Sequence, residues 1–361
     1  MTPATLFTPA KAGRLTLRNR IVMAPMTRLR AAVDGTPTPE MATYYAQRAS
    51  AGLIVSEGIW PSPAGQSEWR VPGLSEERHV NGWQVVTRAV HDAGGTIVAQ
   101  IMHGGRNGHP KARIDGSVPA GPSAVAKTEP VHLADGTKGA PVTPREMTLD
   151  DIEQAVTDYV SAAVNAVRAG FDGVEIHAAN SYLPHQFLAD NTNMRTDNYG
   201  GSIAGRIRFP LRVLRAVSDA VGADRTAIRL SPGNPQFEMR ELDPAPVYRA
   251  LLHELNDLGL AYLHLTDADD YPALHDLRPR WAGTLVANVG ENRAATTRSA
   301  AERPLAQGLA DAVSFGRGFL VNPDLPYRLR HGLSWNEMDT AHLYTPGPTG
   351  YTDYPSLRSA G

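Results

Sequence analysis

Short, almost continuous apolar segments recur along the chain, and amphipathic patterns with helical spacing separate them. Such segments are typical of parallel β-strands covered on both faces, because neither face of the strand then meets water. We predict eight strands from this pattern. They are residues 20–25, 53–58, 96–101, 172–177, 226–231, 261–266, 284–289 and 311–316.

The clearest helix prediction covers residues 149–168, where apolar side chains recur every three or four positions. Thr148 and Asp151 have the spacing of an N-terminal capping box, and Gly170 follows the last turn. We predict a second helix at residues 204–221, in which Pro210 requires either a kink or a later start.

Eight alternations of strand and helix without a break in composition predict an α/β fold. A TIM (β/α)8 barrel that forms a single domain over residues 1–361 fits this pattern better than an open doubly wound sheet. The longest gap, residues 102–147, is rich in Gly, Pro and charge and lacks sustained periodicity. We expect it to be an inserted lid or loop region after the third strand.

Composition narrows the classes of partner. The formal net charge is -2 and the chain has no Cys, which excludes disulfides and thiolate catalysis. This small net charge gives no electrostatic attraction to nucleic acid. The sequence shows neither a signal peptide pattern nor an apolar run of the roughly 18 residues that a membrane span needs. We expect a cytoplasmic monomer or homodimer that acts on small molecules, with no nucleic-acid or membrane partner.

Polar residues lie at or just after the end of every predicted strand, and in a TIM barrel the active site is built at these carboxyl ends. A strand end meets solvent anyway, so any one of these residues has a plain structural explanation, but eight polar ends together favour a site. Gly290, Gly316 and Arg317 follow the last two strands, where such barrels often bind phosphate, which favours a nucleotide-type cofactor. The other polar residues at these ends are Thr27, Glu57, Gln100, His103, His177, Asn180, Tyr182, Arg229, Thr266, Asp267 and Asn288.

His177, Asn180 and Tyr182 lie within six positions, directly after the fourth strand. His177 and Asn180 could donate to one carbonyl oxygen that gains negative charge, and Tyr182 could donate a proton. Taken alone, these residues fit a structural role better, in which His177 satisfies a buried polar group and the Tyr182 hydroxyl points outward.

A metal-dependent barrel lyase is a rival hypothesis, with His103, His177, His185 and Glu57 as the candidate ligands. Their spacing matches no metal motif. A Schiff-base aldolase is weaker still, because Lys11, Lys111, Lys127 and Lys138 all lie away from the strand ends.

Seven motifs lie in a fixed order along the chain and fall largely on the predicted strand ends: "NRIVMAPMTR" (19–28), "QIMHGGR" (100–106), "HAANSYL" (177–183), "NMRTDNYGGS" (193–202), "RLSP" (229–232), "DAVSFGRGFLVNPDLPYRL" (311–329) and "GYTDYP" (350–355). Through these motifs the sequence resembles, across essentially its whole length, the Old Yellow Enzyme family of flavin-dependent ene-reductases. Thr27, where another branch of the family has Cys, and the C-terminal "GYTDYP" place the resemblance in the classical branch.

The resemblance implies a TIM barrel with FMN in its mouth, reduced by NAD(P)H. Thr27 is then expected to bond the flavin O4, Gln100 its pyrimidine edge, and Arg229 the region of N1 and O2 where negative charge accumulates on reduction. Pro25, Met26 and Gly58 are expected to make neighbouring contacts, and the implied phosphate site consists of Gly290, Gly316 and Arg317.

The resemblance also implies a ping-pong reduction of α,β-unsaturated carbonyl compounds. His177 and Asn180 would bind the carbonyl oxygen, the flavin N5 would deliver hydride to the β-carbon, and Tyr182 would protonate the α-carbon. Met102 and Tyr351 are expected to line the substrate pocket. Reduction of quinones, nitro compounds or nitrate esters at the same flavin is the alternative activity.

Three residues depart from the family pattern. Met102 replaces a common Trp, which should reshape the substrate pocket. Ser181 replaces a common Gly, so we expect the turn that carries Tyr182 to be slightly re-aimed. Val289 stands near the expected phosphate site where Gly is common. None of the three removes a group that the chemistry requires.

Overall fold

The computed structural model describes residues 5–133, 137–267, 271–290 and 295–357. Eight parallel strands close into a barrel in their order along the chain, which confirms the TIM barrel prediction. Each predicted barrel strand is present within two residues of its predicted ends. In chain order the described strands are β1 (Ala10–Ala12), β2 (Leu15–Leu17), β3 (Ile21–Met23), β4 (Leu53–Ile59), β5 (Ile97–Ile101), β6 (Ala120–Gly121), β7 (Val131–His132), β8 (Lys138–Gly139), β9 (Arg145–Glu146), β10 (Gly173–Ala178), β11 (Thr226–Leu230), β12 (Tyr262–Thr266), β13 (Leu285–Asn288) and β14 (Ala312–Phe315), and the barrel consists of β3 to β5 and β10 to β14.

Helices follow most barrel strands and pack their apolar faces against the outside of the barrel. Of the described helices, none has the length and apolar character needed to cross a bilayer. The α-helices are α1 (Pro39–Ala46), α2 (Glu77–Asp92), α3 (Leu149–Arg168), α4 (Leu183–Leu188), α5 (Ile203–Val221), α6 (Pro244–Asn256), α7 (Ala273–Leu277), α8 (Arg298–Ala306), α9 (Arg317–Val321) and α10 (Leu325–His331), and 3₁₀ turns lie at Pro63–Gly65, Gly105–Asn107, Ala223–Arg225, Gln236–Glu238 and Arg278–Arg280.

The two helix predictions have different outcomes. Helix α3 has the predicted bounds, and the Thr148 hydroxyl accepts from the Asp151 N–H at 3.1 Å as the capping box requires. Helix α5 starts at Ile203, so the alternative of a start after Pro210 is wrong. The reason is local, because the Ser202 hydroxyl caps the first turn by accepting from the Gly205 N–H at 3.1 Å.

The N-terminal hairpin of β1 and β2 closes one end of the barrel. Its buried side chains Ala12, Leu15 and Leu17 form one apolar cluster with residues at the amino ends of the barrel strands, including Val22 and Leu53. The amino end is thereby sealed by apolar contacts, and the carboxyl end is left for polar side chains.

Most of the segment 102–147 packs over this carboxyl end, and only residues 134–136 within it lie outside the described structure. Strand β6 pairs with β9 and β7 pairs with β8, which gives the segment two small sheets that its sequence pattern did not predict. The Asn107 side chain donates to the Ser181 carbonyl at 2.7 Å, and the Ser123 hydroxyl accepts from the Met194 N–H at 3.0 Å. That the segment 102–147 acts as a lid stays a prediction.

Candidate active site

A cavity of about 110 Å³ opens at the carboxyl ends of the barrel strands. The barrel strands bring together nine of the predicted site residues here, although these residues are spread over some 200 positions of the chain. The lining consists of Pro25, Thr27, Gly58, Gln100, Met102, His177, Asn180, Tyr182 and Arg229, together with Gln236 and Phe237.

His177 and Arg229 form the central pair of this cavity. The register of β10 and β11 places them directly opposite each other, and both are almost fully buried. Burial, aided by the charge of Arg229, lowers the pKa of His177 well below its ordinary value, so its imidazole is neutral at pH 7. Within the described part of the chain, the His177 Nδ1 and the Arg229 Nε are buried without a hydrogen-bond partner.

The turn after β10 holds Asn180 and Ser181 in the left-handed region, with φ of 51° and 68°. Non-glycine residues adopt this conformation at a cost, so other contacts must hold the turn. The Asn180 N–H donates to the Ser231 hydroxyl at 2.9 Å, and the Ser181 N–H donates to the His185 Nδ1 at 3.1 Å. The turn therefore keeps a backbone suited to glycine although Ser stands at position 181.

Tyr182 follows this turn and leans over His177, with 4.7 Å between the ring centroids. Burial raises the pKa of Tyr182 above its ordinary value. Its hydroxyl is therefore protonated at neutral pH and can act only as an acid when a strong base forms beside it. The Asn180 Oδ1 is also buried and lacks a hydrogen-bond partner among the described residues.

Gln100 lies near the carboxyl end of β5, and Met102 directly follows this strand. The Gln100 side-chain N–H donates to the buried Glu175 carboxylate at 2.8 Å, which fixes the amide. The Met102 side chain lies against Gly58, where any added Cβ would overlap the Met102 sulfur. The Met102 side chain therefore occupies the space that a side chain at position 58 would need.

Five predicted site residues lie outside the lining of this cavity. Met26 is half-buried beside Gly316, which caps α9, and Arg317 is the exposed first residue of that helix. Gly290 lies in a second cavity of about 500 Å³ at the ends of β12 and β13. Tyr351 is fully buried and stacks on Tyr44 with 4.1 Å between centroids, away from the 110 Å³ cavity.

The candidate metal ligands do not converge. His103 is bonded through its Nδ1 to the Gly105 N–H, His185 to the Ser181 N–H, and Glu57 to Tyr45. In residues 5–133, 137–267, 271–290 and 295–357, no three His or carboxylate side chains are grouped so that they could hold an ion. The metal-dependent lyase hypothesis has no support from this arrangement.

Gln236 and Phe237 complete the cavity, and the sequence reasoning missed both. They lie in the loop after β11, where Phe237 has a left-handed φ of 52°. The signal that could have found them is positional, because this loop directly follows the strand that carries Arg229. A lone aromatic residue in the Pro-rich segment "SPGNPQFEM" is a candidate for the mouth of a barrel.

The chain is similar to known proteins over nearly its whole length. Residues 5–336 match the model of the NADH:flavin oxidoreductase / NADH oxidase family. A probable flavin mononucleotide-dependent alkene reductase from Leishmania infantum is 39% identical over 356 residues, covering 97% of this chain and 96% of the relative.

Two solved structures are similar over nearly the whole chain. Morphinone reductase in complex with tetrahydroNAD has a TM-score of 0.92 and 44% identity, covering 98% of each chain. The old yellow enzyme homologue from Zymomonas mobilis has a TM-score of 0.93 and 40% identity, covering 97% of this chain and 99% of the homologue.

Proposed function

The chain belongs to the NADH:flavin oxidoreductase / NADH oxidase family, and we propose that it reduces the C=C bond of α,β-unsaturated carbonyl compounds with FMN and NAD(P)H. It is an oxidoreductase of the Old Yellow Enzyme type. The observation that carries the proposal is the convergence of His177, Asn180 and Tyr182 with Gln100 and Arg229 on one cavity.

One buried donor of the cavity supports the fit of a flavin, because it suits the polar edge of that ring. The buried Arg229 Nε lacks a partner in the described structure and can stabilise negative charge on a pyrimidine. When bound, FMN supplies a two-electron carrier that NAD(P)H reduces and that passes hydride to the alkene. The residues that would hold it are Pro25, Met26, Thr27, Gly58, Gln100 and Arg229, with Gly290, Gly316 and Arg317 at the phosphate.

His177 and Asn180 would bind the substrate carbonyl oxygen. The buried His177 Nδ1 has no hydrogen-bond partner among the described residues, and His177 is neutral because burial and Arg229 lower its pKa. Asn180 would donate to the carbonyl oxygen through its side-chain amide nitrogen, since its Oδ1 can only accept. A neutral donor polarises a carbonyl without giving up its proton, so the β-carbon becomes electrophilic while His177 keeps its hydrogen bond.

Tyr182 would then protonate the α-carbon. Its ring lies 4.7 Å from the His177 ring in the same cavity, which supports this role. Burial raises the pKa of Tyr182, so its hydroxyl keeps the proton until the carbanion forms. Met102 and Phe237 would bound the substrate on the remaining sides. Tyr351 stacks on Tyr44 and does not line the cavity, so it would not contact the substrate directly.

The absorption spectrum of the purified protein tests this function directly. Flavin bands that bleach with anaerobic NADPH and return on addition of 2-cyclohexenone are the expected result. A colourless protein that fails to bind added FMN contradicts the proposal. Steady-state rates with 2-cyclohexenone, a quinone and a nitrate ester then distinguish alkene reduction from the alternative activities at the same site.

A further inference from the structure

Glu175 is a carboxylate in the interior of the barrel, one layer below the cavity. It lies in β10 two residues before His177, and side chains two apart on a strand share a face. Glu175 is 0% exposed. An ionised carboxylate at such a depth is costly unless donors surround it, so its surroundings should explain why it is there.

Three donors, one from β5 and two from β12, converge on the Glu175 carboxylate. The Gln100 amide nitrogen donates at 2.8 Å, the Tyr262 hydroxyl donates at 3.0 Å, and the His264 Nδ1 lies at 3.0 Å. Burial alone would raise the pKa of Glu175, but the attraction of His264 and Arg229 and the bond from Gln100 hold it below the ordinary value. Glu175 is therefore ionised at pH 7.

The network continues from His264 around the barrel to Arg229. The His264 Nε2 lies 2.8 Å from the Ser314 hydroxyl, which also accepts from the Asn288 side chain at 2.9 Å. The Asn288 Oδ1 lies 3.4 Å from an Arg229 amino group. Glu175 and Arg229 are thus the acidic and basic members of one buried network, and Gln100 and Arg229 are the members that reach the cavity.

A carboxylate can only accept hydrogen bonds, so Glu175 selects one of the two orientations of the Gln100 amide. The Gln100 nitrogen must face Glu175, and the Gln100 oxygen is left as an acceptor for a ring N–H in the cavity. The negative charge of Glu175 also offsets the positive charge of Arg229 at the place where a reduced flavin would gain charge.

We propose that Glu175 is a positioning residue for FMN, which orients the Gln100 amide and, by opposing Arg229, lowers the reduction potential of the bound flavin. The proposal rests on the function proposed above, since it requires FMN in this cavity. Glu175 does not touch the flavin in this scheme, because it acts through Gln100 and through its field.

Glu175→Gln tests both effects, because glutamine keeps the shape but removes the charge and can itself donate to Gln100. The midpoint potential of bound FMN should rise by at least about 30 mV, which is a tenfold change in the equilibrium of a two-electron couple. The dissociation constant of oxidised FMN should increase roughly tenfold, as expected when a hydrogen-bond partner loses its fixed orientation. In a Gln100→Leu background, Glu175→Gln should no longer change this dissociation constant.

Tyr262→Phe tests the sign of the change in the reduction potential of bound FMN. It also provides a second test of the proposal if the Glu175→Gln protein does not fold. It leaves the carboxylate and Gln100 in place but removes one donor, so less of the negative charge is offset. The potential should fall, by a smaller amount than it rises in Glu175→Gln. If Glu175 had a purely structural role, the reduction potential would not be expected to shift in opposite directions in these two variants.

Glu241→Gln is the matched control. Glu241 is also a buried carboxylate with a tyrosine partner, the Tyr248 hydroxyl at 2.7 Å, but it lies outside the cavity lining. Its substitution should leave the potential unchanged. The proposal is overturned if the Glu175→Gln protein folds and has the wild-type reduction potential and FMN affinity. If the Glu175→Gln protein does not fold, an unchanged reduction potential in Tyr262→Phe overturns the proposal. Failure of the wild-type protein to bind FMN instead overturns the proposed function.

Discussion

Tyr182 is an acid that its surroundings keep protonated. Burial raises its pKa, and removal of its hydroxyl leaves the His177 contact of its ring intact. We expect Tyr182→Phe to slow alkene reduction by roughly 10²- to 10⁴-fold, the usual contribution of a positioned acid. Reduction of the flavin by NAD(P)H should continue at nearly the wild-type rate. Stopped-flow measurement of the two half-reactions checks this.

Tyr327→Phe is a suitable control for Tyr182→Phe, because Tyr327 contacts His331 in α10 and does not line the cavity. Neither half-reaction should change in this variant. If Tyr182→Phe slows the NAD(P)H half-reaction instead of the alkene half-reaction, the proton-donor role is wrong.

Glu57 is a buried carboxyl whose protonation should make stability depend on pH. Burial raises its pKa from an ordinary value of 4.5 to about 7, although the Arg28 N–H and the Tyr45 hydroxyl donate to it. Between these two values the folded state holds a proton that the unfolded state has lost. Stability from this group is therefore highest below pH 4.5 and is lost as the pH rises to about 7.

We expect the free energy of unfolding of the wild type, relative to Glu57→Gln, to fall by roughly 1–3 kcal/mol from pH 5 to pH 8. Both proteins have the same histidines, so the histidine contributions cancel in the difference between the two free energies of unfolding. Urea unfolding at several pH values measures it. Glu302 lies on the surface in an ion pair with Arg298, so the difference in free energy of unfolding between the wild type and Glu302→Gln should not change with pH. If the difference for Glu57→Gln is also independent of pH, Glu57 is ionised throughout this range.

At the residue scale, the sequence identified most of the cavity lining because strand ends converge in a barrel. His177, Gln100 and Arg229 were predicted from their position after apolar runs, and all three line the cavity. Tyr351 was assigned by resemblance alone, and its stacking on Tyr44 depends on the path of a long C-terminal segment without periodicity. Phe237 was missed for a related reason, since its backbone conformation has no pattern in the sequence.

At the element scale, the loop after β11 is tied to the segment 102–147 through one carboxylate. Glu238 accepts from the Thr128 and Glu129 N–H groups at 2.8 and 2.9 Å and from the Thr128 hydroxyl at 2.5 Å. Its neighbour Phe237 lines the cavity, and the Phe237 carbonyl accepts from Arg106 at 3.0 Å. The two segments should therefore position Phe237 together.

Glu238→Ala should loosen this connection and raise KM for an enone. The expected increase is roughly tenfold, equivalent to the loss of one charge-assisted hydrogen bond of about 1.5 kcal/mol. FMN content and kcat should change much less, because Glu238 does not touch the reacting groups. Glu77→Ala, which removes only a surface pair with Arg168, should leave KM unchanged. An unchanged KM in Glu238→Ala would show that Phe237 holds its position without this contact.

Periodic elements were predictable from the sequence, and the segment 102–147 was not. Strands and α3 follow local rules, since a buried parallel strand needs a continuous apolar run and Thr148 marks a helix start. The order of residues 102–147 comes from contacts with distant residues, such as Asn107 with Ser181 and Thr128 with Glu238. Such contacts leave no period in the sequence.

At the scale of the whole molecule, two buried arginines join the loop after the first barrel strand to the C-terminal tail. Arg30 donates to the carbonyls of His342, Leu343, Gly347 and Thr349, at distances between 2.9 and 3.3 Å. Arg28 donates to the carbonyls of Leu343 and Gly350. We propose that the tail and the barrel consequently unfold as one unit.

Arg30→Met tests this proposal, because methionine fills similar space but cannot bond the tail carbonyls. Charge-assisted hydrogen bonds contribute about 1.5–3 kcal/mol each and are not additive, so we expect a loss of at least about 2 kcal/mol in stability. Chymotrypsin should cleave faster at Tyr344, which is already half-exposed at 51% and lies between the bonded carbonyls. Arg215→Met, which removes a surface pair with Glu254, should change neither quantity. If the wild-type protein itself loses its tail in a separate early transition while the barrel stays folded, the two parts are independent and the single-unit proposal is wrong.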